Sequence, residues 1–176
     1  MDKNNKTTPT VQPQVKESRL GVTPQSTAPH QERKIFTIHV YPHVKKFMNH
    51  KYAHSNGIFR AEEYSVVGKL VTYAIIDKRG WRSHNDQVRD RLTASIRIEL
   101  TKDQLTRGPR GASLQRLNID LDGLFKDALM QWIEAQNSSG IPVHAACKNF
   151  LEHYNLDETD YSLDSAYKYW QRHNKK

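Results

Sequence analysis

The stretch ASIRIELTKDQ, Ala94 to Gln104, decides how the chain folds. Ile96, Ile98 and Leu100 alternate with Ser95, Arg97 and Glu99, the period-two pattern of a strand with one apolar and one polar face. Directly behind it, Thr101 stands where a helix N-cap is needed and Gln104 follows three residues later, the two members of a capping box. A strand therefore runs straight into a capped helix. Gly108 and Pro109 interrupt that helix, since proline removes a backbone donor and crowds the preceding turn. Beyond a basic linker carrying Arg107, Arg110 and Arg116, an amphipathic helix is expected to begin near Asp120. Its stripe is Leu121, Leu124, Phe125, Ala128, Leu129, Trp132 and Ile133, and Gly140 and Pro142 stop it.

Toward the N-terminus, Phe36, Ile38 and Val40 alternate with Thr37, His39 and Tyr41 and predict a second strand. Pro42 suits the first turn of a helix, where its missing N–H costs nothing, and Val44, Phe47, Met48 and Lys51 continue that helix. Ser55-Asn56-Gly57 signals a turn. Residues 62–76 are rich in β-branched side chains, yet Val67, Leu70, Val71, Ala74 and Ile75 share one helical face, and the spacing predicts a helix. Asp77-Lys78-Arg79-Gly80 ends it, and Trp81 to Arg91 reads as an exposed loop. Toward the C-terminus, Val143, Ala146, Cys147, Phe150, Leu151 and Tyr154 form another apolar stripe. An acidic connector follows, and Ser162 is the expected N-cap of a last helix. That helix should turn Leu163, Ala166, Tyr167 and Trp170 inward and Lys168, Tyr169, Gln171, Arg172 and Lys175 outward.

These patterns predict an α+β, mostly helical protein. A short two-stranded β element is expected, its strands pairing with each other or across a dimer, together with amphipathic helices and a helical C-terminal subdomain. Residues 1–33, punctuated by Pro9, Pro13, Pro24 and Pro29 and poor in large apolar side chains, read as a disordered tail. Residues 34–140 make a basic α+β core and 141–176 a helical hairpin.

Composition narrows the partners. A chain of 176 residues with 36% hydrophobic content and a mean hydropathy of −0.81 supports one modest core. The net charge of +8 and a pI near 9.6 put nucleic acid first among partners. The surplus is concentrated: residues 34–140 carry 17 basic against 11 acidic side chains, whereas 141–176 balance at five against five. No run reaches the roughly 18 apolar residues of a membrane span, and the N-terminus has no apolar signal segment, so a cytoplasmic protein with no membrane partner is expected. Cys147 is the single cysteine, which excludes an intramolecular disulfide and a zinc site of paired thiolates. Its place in an apolar stripe points to core packing.

His39, His43, His50 and His54 repeat the spacing H-x3-H twice. Histidines at i and i+4 share a helical face and can reach one ion, but a catalytic zinc wants a third ligand and a base in the H-E-x-x-H arrangement, which is missing. Nor is there a Gly-rich phosphate loop around Gly108 or a G-x-S-x-G elbow. The acid pairs Glu62-Glu63 and Asp120-x-Asp122 suit first-turn positions of helices. Neither an enzymatic activity nor a cofactor or resident metal is expected.

The block from Ala94 to Gln136, strand, capped helix, long amphipathic helix, resembles the ribbon-helix-helix DNA-binding proteins. The resemblance implies that strands of two subunits pair and that Ser95, Arg97 and Glu99 face base edges in the major groove, with Arg97 suited to guanine. It departs from that pattern at Gly108-Pro109, where the family keeps an unbroken first helix. The C-terminal helix pair is similarly helix-turn-helix-like, its last helix offering Lys168, Gln171, Arg172 and Lys175 to phosphates and bases. The expected function is non-enzymatic DNA binding, duplex foremost, by a homo-oligomer such as a dimer, as a regulator or accessory factor of a bacterial mobile element. The nucleic-acid-binding residues are Ser95, Arg97, Arg107, Arg110, Arg116, Lys168, Gln171, Arg172 and Lys175. The rival reading is a protein-interaction or structural component in which Trp132, Phe150 and Trp170 form an oligomer interface.

Overall fold

The computed structural model describes residues 34–52, 55–62, 64–76, 90–108 and 116–174. The tail expected over 1–33, most of the loop expected from Trp81, His54, Arg110 and Lys175 lie outside the described residues. The elements run β1 (Lys34–Val40), α1 (Pro42–Tyr52), β2 (Ile58–Arg60), α2 (Val66–Ile76), β3 (Ala94–Leu100), α3 (Lys102–Thr106), α4 (Leu117–Ser138), α5 (Val143–His153) and α6 (Leu163–Asn174). The fold is α+β and mostly helical.

The two strands expected from alternation are present and pair antiparallel within the chain, Phe36 opposite Ile98 and Thr37 opposite Arg97. The expectation of a two-stranded element needs correction, because β2 adds a parallel strand on the other side, Phe59 opposite Ile98, in the order β1-β3-β2. The backbone donor of Ala61 extends that ladder to the Glu99 carbonyl at 3.0 Å. A single helical turn, Ser55–Gly57, precedes β2 and redirects the chain through two left-handed positions, Asn56 at φ 76° and Gly57 at φ 63°. Both edges of β3 are thereby occupied. A ribbon made from β3 and its copy in a second subunit has no edge to use, so the pairing implied by the ribbon-helix-helix resemblance is not available to this strand.

One face of the sheet is dry. Ile38, Val40, Phe59, Ile96, Ile98 and Leu100 are buried there, and Val44, Phe47 and Met48 of α1 and Leu121, Phe125, Leu129 and Ile133 of α4 belong to the same core. Ala146, Cys147, Phe150 and Leu151 of α5 and Ala166 of α6 join it, so the C-terminal hairpin shares its interior with the rest of the fold. Cys147 is fully buried, as its stripe predicted, and burial pushes its thiol up to about 11. Phe150 is also fully buried, which removes it from the oligomer interface of the rival reading.

Helix ends follow their local chemistry. The capping box of α3 is complete: Thr101 Oγ1 accepts from the Gln104 amide and Gln104 Oε1 from the Thr101 amide. The Gln104 side-chain amide then donates to the Ala61 carbonyl at 3.1 Å, which ties α3 to the residue after β2. Gly108, at φ 68°, follows the end of that helix. Helix α4 starts at Leu117, three residues earlier than Asp120. It ends in a Schellman cap, with Gly140 at φ 86° and the Ile141 amide reaching back to the Gln136 carbonyl. Helix α5 ends the same way with Asn155 at φ 52° and the Leu156 amide on Leu151. At the start of α2, Gly68 is required for space, because a Cβ there would lie 1.7 Å from the Glu62 carbonyl oxygen.

One core position runs against its surroundings. Asn118 on α4 is 1% exposed, and neither its Nδ2 nor its Oδ1 has a hydrogen-bond partner among the described residues. A buried amide left unpaired costs about 1–3 kcal/mol, and leucine has the same branched outline without the polar atoms. Asn118→Leu is therefore expected to stabilise the protein by about 1 kcal/mol in urea unfolding at unchanged m. A loss of stability would show that the amide does have a partner.

Candidate nucleic-acid interface

Helix α6 keeps a single side chain, Ala166, fully out of solvent. A cleft of about 800 Å3 lies between this helix, the start of α1 and the first half of α4. Tyr41 and Thr93, immediately after β1 and before β3, line this cleft. The end of the sheet therefore opens into it. The solvent-facing side of the sheet carries Thr37, His39, Arg97 and Arg60, all exposed.

His43 forms the inner wall and is 6% exposed. Its Nε2 lies 2.9 Å from Asp122 Oδ1 and its Nδ1 3.3 Å from the Asp160 carbonyl oxygen. Both of those oxygens can only accept, so whichever ring nitrogen carries a proton donates to the oxygen it faces. Tyr41 stacks on the ring at 5.3 Å, and Phe125 and Tyr161 approach it to 4.6 and 4.8 Å. With both nitrogens facing an oxygen and three aromatic neighbours, the ring is held in one place. It acts as a strut joining α1, α4 and the connector before α6.

The acids of the cleft are likewise occupied. Asp122 Oδ2 accepts from Lys126 at 2.6 Å. Burial alone would raise the Asp122 carboxyl, but the hydrogen bonds from His43 and Lys126 outweigh it and hold the group below the usual carboxylate range. Lys46 donates to Asp160 and pairs with Asp157 at 3.4 Å, and the hydrogen bond to Asp160 is the main reason its ammonium is held above the ordinary lysine value. The Thr159 hydroxyl and the Thr159 and Asp160 amides hold Asp157 well below the usual range. Glu158 Oε1 accepts from the Leu163 amide at 3.2 Å and Asp164 pairs with Lys168 at 2.8 Å, both at the start of α6. Ser162 Oγ accepts from the Ser165 amide at 3.1 Å and is the N-cap its sequence position suggested. Burial and the neighbouring Asp122 charge push Tyr161 up to about 12, so its hydroxyl keeps its proton.

The expected binding residues fall into two groups. Lys168 and Arg172 are exposed on α6 and line the cleft. Arg97 is exposed on the outer side of the sheet, its guanidinium donating to the Asn56 carbonyl at 2.7 Å, and Ser95 is half-buried on the same strand. Arg107 is exposed at the end of α3, whereas Arg116 is half-buried at the start of α4. Gln171 and Tyr169, expected to point outward, are half-buried. Tyr169 turns into the cleft with Lys126 Nζ of α4 5.5 Å from its ring centre. Arg91, Lys126, Tyr41 and the His43–Asp122 pair also belong to the cleft and were not singled out as binding residues from the sequence.

The described histidines of the repeat do not gather into one site. His39 is exposed on the outer side of the sheet, His43 turns inward, and His50 packs against His153 and Tyr154 at 4.8 and 5.0 Å. Among the described residues no three His, Cys, Asp or Glu side chains converge on a point that could hold a metal ion. No described helix is long and apolar enough to cross a membrane. No family model, curated protein or solved structure matches the chain.

Proposed function

We propose that the chain binds DNA without chemically altering it, as a regulator or accessory factor of a mobile element, and that it works in the cytoplasm. One observation carries this reading: Arg172 of α6 and Arg91 ahead of β3 are exposed cations, without a carboxylate partner among the described residues, around a single cleft into which the end of the sheet opens, with Lys168 beside them paired to Asp164. Cations gathered along one concave path suit a phosphodiester chain, and the tyrosines and hydroxyls between them can position it. Arg97 extends the basic path along the sheet. The same reading takes the protein as a homo-oligomer, since Tyr64, Val66 and Tyr73 at the start and along α2 are 87, 44 and 55% exposed and leave an apolar patch for a second copy.

A salt titration tests the DNA reading. The logarithm of the association constant for a random duplex should fall against the logarithm of salt with a slope of roughly −3, as expected for three or four phosphate contacts. Arg172→Ala should reduce that slope by about 1, and Arg97→Ala should do the same if the path continues along the sheet. Binding that ignores salt, or duplex affinity untouched by Arg172→Ala, would defeat this reading.

A further inference from the structure

We infer that the cleft between α6 and α4 holds a phosphomonoester, with the guanidiniums of Arg91 and Arg172 as its two cationic ligands. The argument starts from charge matching. Four carboxylates line the cleft, and each has its own donor: Asp122 has His43 and Lys126, Asp160 has Lys46, Asp164 has Lys168, and Glu158 has the Leu163 amide. Two of the four lining cations, Lys126 and Lys168, are thereby neutralised. Arg91 and Arg172 remain, exposed and without a carboxylate partner among the described residues.

Two guanidiniums that no described carboxylate pairs with face one space, and a ligand with two negative charges can engage both. A phosphomonoester carries about −1.5 to −2 at neutral pH and presents three acceptor oxygens to both arginines at once, whereas in a phosphodiester chain each phosphate carries a single charge and the two arginines divide between successive phosphates. The planar fork of arginine grips such oxygens two at a time. The cleft volume of about 800 Å3 admits a whole nucleotide, since small-ligand sites span roughly 300–1,000 Å3. Tyr41 supplies a half-exposed aromatic ring on the opposite wall, held flat by its stacking on His43 at an interplanar angle of 12°, against which a base can lie.

The phosphomonoester can belong to the phosphorylated end of a strand or to a free mononucleotide. The first source rests on the DNA reading proposed above, and the second does not. The test compares one duplex bearing either 5′-phosphate or 5′-hydroxyl ends, and adenosine 5′-monophosphate against adenosine, in calorimetric titrations. Wild type is set beside Arg91→Gln, Arg172→Gln and, as a cation outside the cleft, Arg97→Gln.

The expected result is about tenfold or greater preference for the phosphorylated end, lost in Arg91→Gln and in Arg172→Gln and kept in Arg97→Gln. Arg172→Lys, which keeps the charge but not the fork, should retain only part of the preference. Equal, salt-dependent affinity for both duplexes would overturn the phosphomonoester site and leave DNA binding standing. Binding of adenosine 5′-monophosphate alone, abolished by either cleft substitution, would support the site and overturn the DNA reading. If no probe binds, or if the preference survives both cleft substitutions, the site is wrong.

Discussion

Phe125→Ala is expected to lower the free energy of unfolding by about 3–5 kcal/mol, a large part of the stability of a domain this size. Phe125 is fully buried near the middle of α4, and its ring meets His43 at 4.6 Å, Tyr161 at 5.0 Å, and Phe47 and Phe150 each at 5.6 Å. These neighbours come from α1, α5 and the connector before α6, so the truncation opens a void where four segments meet. Removing the ring gives up its transfer free energy and adds a cavity term, because close-packed neighbours relax only in part. Urea unfolding followed by circular dichroism measures the effect. A loss under about 1.5 kcal/mol would mean that these segments do not share one interior.

Asp122→Ala should cost about 2–4 kcal/mol at neutral pH, because it takes the carboxylate acceptor away from Nε2 of the buried His43 ring and from the half-buried Lys126. The same substitution should change the response to acid. A carboxyl held below its unfolded value of 3.8 contributes stability that is complete above that value and disappears as pH falls through the lower folded one. The wild type should therefore lose stability below about pH 4, and Asp122→Ala should show a shallower acid decline. Because Asp157 is depressed as well, some of the decline should persist in the variant. In a His43→Leu background the cost of Asp122→Ala should shrink by about 1 kcal/mol or more, since the two side chains act as one unit. Additive losses would show that the His43–Asp122 contact carries no weight.

Residues that declare their own structure locally were legible. Strand β3 announces itself by alternation and by the capping box behind it, and the Ser162 cap and the Gly140 stop are chemical statements made within a few residues. Strand β2 could not be read that way. Three residues are too few for a period, and Ile58–Arg60 are a strand only because the edge of β3 lies beside them. The same distinction divides the candidate site. Lys168 and Arg172 stand out as exposed cations on an amphipathic helix. The His43–Asp122 pair joins residues 79 positions apart, and no local pattern links them.

A trace of that pair was nevertheless present in the sequence. Asn118, Asp122, Phe125 and Leu129 fall on one side of α4 at helical spacing, so two polar groups interrupt a face that should be uniformly apolar. Reading Asp122 as a first-turn charge near a helix start missed this, because the helix begins at Leu117 and places Asp122 in its second turn. A carboxylate on an inward stripe asks for a partner from another element. The histidine repeat holds that partner, but its i+4 spacing links His43 to its own neighbours and carries no sign of an acid 79 positions away.

The central position of β3 also sets the order in which the molecule can assemble. Its antiparallel partner lies about sixty residues back along the chain and its parallel partner about forty, so the sheet closes only after two large loops have given up their freedom. Helices α4, α5 and α6 meet their neighbours across short connections and face no such delay. Amide protons of the C-terminal helices should thus gain protection early during refolding, and those of the sheet should be the last to become slow.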